Sequence, residues 1–279
     1  SDLVFGSYVK VAEALLKSHP EARVNVMAYL DHAYPPQKIT RLPRNMRVSV
    51  ALYPFESWNP GATQNDRAIW REWIERFPDV PKGVEVYLDA TPPPPFPYMN
   101  VHYWLTNMRW YLNTGADSFA MYRHPAQFMP ETYLIARMVD DPAVDENALL
   151  REYFAPYWGA AAGPIQNIFG LFESIQNNPD NFPPEAFKPL TQKNFGKFGD
   201  GRILYEHLLT GERLAKITAW LEEARRLAVD PDERTRVEWF ENTILKPVLD
   251  GKRAYDKKRT EASVPLPKPE LANSPVTGR

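Results

Sequence analysis

The sequence predicts an α/β protein that opens with a parallel four-stranded sheet and continues as a helical region. Short β-prone runs recur near residues 23–30, 47–53, 83–89 and 117–122. Amphipathic stretches of helical period lie between the later runs, and no strand pattern returns after about residue 131. Strands joined through helices take right-handed crossovers, which make the sheet parallel and bring all the strand exits to one edge. Parallel α/β folds place their chemistry at that edge.

The elements follow in order. Residues 3–17 form a helix with Val4, Tyr8, Val11 and Leu15 as its apolar stripe, stopped by Ser18-His19-Pro20. Arg23–Leu30 is a strand whose apolar mix suits cover on both faces, and it ends in Asp31-His32. The stretch holding Pro35, Pro36 and Pro43 is a loop, followed by the strand Arg47–Tyr53 with its exit at Glu56 and Trp58. Thr63 to Asp66 reads as a capping-box variant for a helix carrying Ile69, Trp70, Trp73, Ile74 and Phe77. Gly83–Asp89 is the third strand and runs into a stiff Pro92–Pro95 loop. A helix over 99–114 ends at Gly115, and Asp117–Tyr122 is the fourth strand, leaving through Arg123 and His124. Helices then cover roughly 131–139, 146–156, 160–177, 203–228 and 232–256. The last two pair as a hairpin about Asp230-Pro231-Asp232, and a loop fills 177–200.

Composition narrows the partners. With 279 residues and 44% hydrophobic content the chain can build a sizeable core. A formal net charge of −2 gives no electrostatic reason for a nucleic-acid or membrane partner. No apolar run approaches the ~18–20 residues that span a bilayer, and Asp2, Lys10 and Glu13 argue against a signal peptide. With no cysteine, disulfides, thiolate catalysis and Cys-type zinc sites are excluded. The chain starts at Ser1 directly in a helical segment, so a processed or truncated N-terminus is expected. Any targeting signal would go with it; a periplasmic or secreted location is preferred over a cytoplasmic one.

Several segments, in this order, resemble the barrel proteins grouped as domain of unknown function 4838. They are the strand Val24–Tyr29 with its following Pro35-Pro36 pair, Gly83–Asp89 with its Pro-rich exit, and Asn113–Asp117. Next come Ala136–Asp145 and Leu149–Ala161, the last of which looks like the helix after the final barrel strand. The resemblance spans roughly residues 1–260. Looser similarity extends to hexosaminidase-like and α-glucuronidase-like barrels. It implies the C-terminal half of a (β/α)8 TIM-type barrel over residues 1–130; the helical pattern over 131–256 reads as an all-α domain, and 257–279, ending in a Pro-rich stretch without period, as a disordered tail. It also implies a carbohydrate substrate and a glycoside hydrolase-like activity. Such barrels have eight strands, so the rest would come from an N-terminal half or a second chain.

Glycoside hydrolysis uses two carboxyl groups flanking the scissile bond. Asp89, Asp31 and Glu56 are the carboxylates expected at strand ends, as base, nucleophile or hydroxyl ligand. The alternative is that they cap loops or pair with Arg123 or Arg47. Sugar faces stack on aromatic rings, for which Trp58 and Tyr98 are the leading candidates and Tyr53, Tyr29 and Tyr122 the next. Trp70, Trp73, Trp104 and Trp110 lie within helices and are expected in the packing. His124 beside Arg123 suits a sugar hydroxyl or carboxylate, or a local ion pair, and His32 is a further ligand candidate. None of His32, His102 and His124 has the spacing of a helical metal site, so neither metal nor cofactor is expected. The rival reading is a non-catalytic carbohydrate-binding or structural module with a barrel cleft. A nucleotide enzyme is disfavoured because no Gly-rich strand–helix turn occurs.

Overall fold

The computed structural model describes residues 1–52, 57, 59–87, 96–97, 100–122, 129–187 and 201–263. Four strands, β1 (Val24–Ala28), β2 (Met46–Leu52), β3 (Lys82–Tyr87) and β4 (Ser118–Tyr122), form one sheet in the order β1-β2-β3-β4. Every neighbouring pair is parallel. Each strand therefore leaves the sheet at the same edge.

The two faces of this sheet differ. Val26 and Ala28 pair with Val48 and Val50, and Val50 and Leu52 pair with Val84 and Val86; all share one face of the sheet and are buried. They join one core with Phe5 of α1 (Asp2–Ser18), Trp73 of α2 (Pro60–Arg76) and Met108 of α3 (Val101–Asn113). The alternate positions are mostly polar or small, with Asn25, Arg47, Ser49, Gly83, Glu85 and Ser118 beside one half-buried apolar residue, Met27. Ser49 donates to Asn25 Oδ1 across 3.3 Å. Arg47 reaches over β3 to bind Asp117 (Nη1 to Oδ2, 2.9 Å) and Ser118 beside it. Gly83 makes that crossing possible, since a Cβ there would sit 3.1 Å from the guanidinium. The expectation that β1 is covered on both faces is corrected: its burial alternates and Asn25 is exposed.

Local corrections have local causes. In α1 Phe5 and Ala12 are fully buried; Val4, Tyr8 and Leu15 of the expected stripe are half-buried, with Tyr8 packed against the core, and Val11 is the member that misses the buried face at 53% exposed. The helix is apolar over a wide arc, and the contact of Phe5 with Trp73 (ring centroids 5.1 Å apart) selects one side of it. Helix α2 starts at Asn59-Pro60 rather than at the Thr63 box. Asn59 Oδ1 accepts the Gly61 amide at 3.1 Å, and Pro60 fills the first helical position, where no donor is needed. Gly115 ends α3 with φ +109°, as its position predicts.

Beyond the sheet the described chain is helical: α4 (Met129–Asp140), α5 (Glu146–Trp158), α6 (Ala162–Asn177), α7 (Gly211–Leu227), α8 (Pro231–Phe240) and α9 (Lys246–Ser263). Asp230 caps α8 by accepting the Asp232 and Glu233 amides, and Pro231 follows at the first position. The stripes of the expected hairpin, Leu214 to Ala228 and Val237 to Val248, are buried. A π-helical turn, Glu241–Leu245, joins α8 to α9, and α9 runs on to Ser263 rather than ending at 256. Residues 264–279, the rest of the expected tail, lie outside the described residues. No described helix is long and apolar enough to cross a membrane.

Candidate functional site

The carboxyl edge of the sheet and its polar face make the candidate site. A central parallel strand is normally apolar throughout, because both of its faces are covered. β3 breaks that rule at Glu85, which is only 4% exposed. Its ladder neighbours are Ala51 on β2 and Ala120 on β4, so the carboxylate stands between two methyl-sized residues. The last rung of the β3–β4 ladder pairs Tyr87 with Tyr122.

Helix α3 returns from the exit of β3 to the start of β4, so its N-terminus lies near the carboxyl edge. Two acids from the helical region cap it. Fully buried Glu131 of α4 accepts the Asn100 amide at 2.9 Å. Glu173 of α6 accepts the His102 and Tyr103 amides at 2.7 and 3.2 Å. These are donors that the first turn cannot satisfy internally, and the helix dipole favours negative charge there. The Asn100 and Asn177 amides pair reciprocally at 2.8 Å, and Asn100 Nδ2 also donates to Ser57 Oγ.

His102 completes the cluster. Its Nδ1 lies 2.7 Å from Glu173 Oε2; a carboxylate only accepts, so Nδ1 carries the proton. Nε2 is 3.7 Å from Glu146 of α5. The Glu173 hydrogen bond, outweighing partial burial, raises the imidazole above its usual range. This carboxylate–imidazole pair can hold and move a proton, and it ties α3 to α5 and α6.

Among the sequence candidates, Asp31 lies in the short turn Leu30–His32 after β1, with its side chain 96% exposed. His32 Nδ1, 2.9 Å away, holds its carboxyl below the usual range. Leu30 before it adopts φ +48°, a left-handed conformation costing roughly 1–2 kcal/mol for a side chain of this kind. Such strain concentrates at turns that position functional groups. Tyr29 is half-buried beside this turn. Arg47 pairs with Asp117, towards the opposite edge. Glu56, Trp58, Tyr53, Asp89, Tyr98, Arg123 and His124 lie outside the described residues, as does the Tyr122 side chain. Trp70, Trp73 and Trp104 are buried in the core, as helix positions predict.

The sequence reading passed over Glu85, although an acid inside Gly83–Asp89 is itself a signal: charged residues are almost never fully buried without a reason. Glu131 and Glu173 gave no comparable signal, because an acid in an amphipathic helix usually faces water. Among the described residues no group of three or more His, Asp and Glu side chains could hold a metal ion.

The family described as "Domain of unknown function (DUF4838)" matches residues 1–169, and the chain belongs to it. No curated protein and no solved structure matches the chain.

Proposed function

We propose that this member of the family supplies the substrate-facing half of a (β/α)8 barrel that acts on the glycosidic bonds of a poly- or oligosaccharide through paired carboxylates. The observation that carries the reading is the two-faced sheet: an apolar face packed into the helical core, and a polar face with Glu85 at its centre. In a closed barrel the helix-packed face is the outside and the other lines the interior. The consecutive order β1-β2-β3-β4 suits a barrel wall, whereas a doubly wound sheet reverses at a switch point. Closure needs further strands, from an N-terminal half or a second chain.

In this reading Glu85 joins Asp89, Asp31 and Glu56 as the pool from which an acid and a base or nucleophile are drawn, with two carboxyls about 5–10 Å apart across the cleft. Trp58, Tyr98, Tyr53, Tyr29 and Tyr122 provide stacking faces, and His32, Arg123 and His124 contact hydroxyls or a carboxylate. A periplasmic or secreted location suits a polymeric substrate.

The test is reducing-end release from a panel of plant and bacterial polysaccharides, run beside glycan-array binding. Turnover of at least one polymer is expected of the barrel closed by its remaining strands, and glycan binding of the chain itself. Binding without turnover replaces the hydrolase with the binding-module reading, and neither binding nor turnover overturns the carbohydrate assignment altogether.

A further inference from the structure

A second site lies at the opposite edge of the sheet, where β2 and β3 begin. The loop entering β2 and the connection from α2 to β3 enclose a cleft of about 290 Å³. Its floor is apolar and buried, made by Leu42, Met46 and Phe77. Pro43, Pro78 and Pro81 stand in its walls and fix the backbone there.

The charge in this cleft is one-sided. Arg41, Arg44 and Arg76 line it against a single acid, Asp79. Arg41 and Arg44 are exposed and make no hydrogen bond or ion pair among the described residues. Arg76 spends its terminal nitrogens on the loop, donating to the Pro36 and Gln37 carbonyls at 2.8 and 3.1 Å and to Gln37 Oε1 at 3.3 Å. Its Nε is buried without an acceptor. That nitrogen has no exposed surface, so Arg76 contributes its positive charge to the wall of the cleft rather than a free donor.

The carbonyl end of α2 would ordinarily repel an anion here. That end is already occupied. Buried Lys82 donates to the Phe77 and Val80 carbonyls, each at 2.5 Å, and adds a further positive charge behind the floor. The polarity of the helix terminus is thereby offset.

We propose that this cleft binds a small oxyanion-bearing ligand, with its phosphate or carboxylate group on Arg41 and Arg44, the charge of Arg76 behind them, and its apolar body on Leu42, Met46 and Phe77. The site is separate from the carboxyl edge and independent of any activity there. Arginine's planar fork suits either group, so the two have to be told apart by measurement.

The experiment is thermal unfolding of the full chain with inorganic phosphate, malonate or sodium chloride at matched ionic strength, repeated on Arg41→Ser/Arg44→Ser. Phosphate or malonate is expected to raise Tm beyond chloride in a saturable way, and the larger response identifies the group. The double variant should fold as wild type, because neither side chain makes a contact to lose. Its apparent affinity should fall about tenfold or more. No rise beyond chloride, or an equal rise in the variant, overturns the site. Arg76→Gln serves as a second variant: a response unchanged by it removes Arg76 from the site.

Discussion

Replacing Trp73 with alanine is expected to lower unfolding free energy by about 3–5 kcal/mol, the range for deleting a large aromatic from a packed core. Trp73 is 0% exposed. Its ring packs on Phe5 of α1 and on Phe77 at the end of its own helix, with centroids 5.1 and 5.5 Å away. Its indole N–H donates to the Ala33 carbonyl at 2.7 Å, fastening the loop between β1 and β2. One side chain thus joins α1, α2 and that loop, and its removal leaves both a cavity and a carbonyl without its donor. Trp73→Phe keeps most of the volume and loses the hydrogen bond, so it should cost about 1–3 kcal/mol. Urea midpoints with unchanged m-values would measure both. A loss below about 1 kcal/mol for the alanine variant would show that the loop and α1 are held by something else.

The second large effect is expected at Glu173. Alanine there strips the His102 and Tyr103 amides and the His102 ring of their acceptor; buried donors left unmade cost about 1–3 kcal/mol each, and these are part-buried, the ring least so. A net loss of about 3 kcal/mol is the expected outcome. Amide exchange at residues 102 and 103 should quicken beyond what the global loss explains. Glu173→Gln retains an oxygen for the two amides and should recover most of the stability, but it cannot hold an imidazolium.

That difference has a pH signature. The folded pKa of His102 lies above its unfolded value near 6.5, so the stabilisation is fully present below about pH 6.5 and fades as pH rises through the folded pKa. The ring is more than half exposed, which keeps the effect small through solvent screening. Wild type should lose a little stability over that rise and Glu173→Gln should not. Identical slopes would detach His102 from the clamp.

The parallel sheet was legible because its strands are β-prone runs with helical spacers, two signals that agree. The start of α2 was misread because Thr63 to Asp66 imitates a cap, while Asn59-Pro60 is the stronger one: its proline sits where a missing N–H costs nothing. Period alone found the buried side of α1 through Val4, Tyr8 and Leu15 but not its centre at Phe5 and Ala12, since how far a broadly apolar helix turns inward depends on Trp73, far along the chain. The acids at the head of α3 come from helices 30 to 70 residues away, about the sequence separations 31 and 71 of their hydrogen bonds, beyond any local pattern. Glu85 was legible in principle, because its strand context forbids it unless a polar face exists.

The most direct test of the proposed sugar-facing barrel wall is the rate of reducing-end release by Glu85→Gln, in the closed barrel, on the polymer that the wild type degrades best. Glutamine preserves size and one acceptor oxygen but not ionisation. A loss of about 10²–10⁴-fold, with the glycan-array profile and Tm retained, is the predicted result. Turnover within a few-fold of wild type would contradict it, leaving Glu85 without a part in the chemistry and the polar face without its central role.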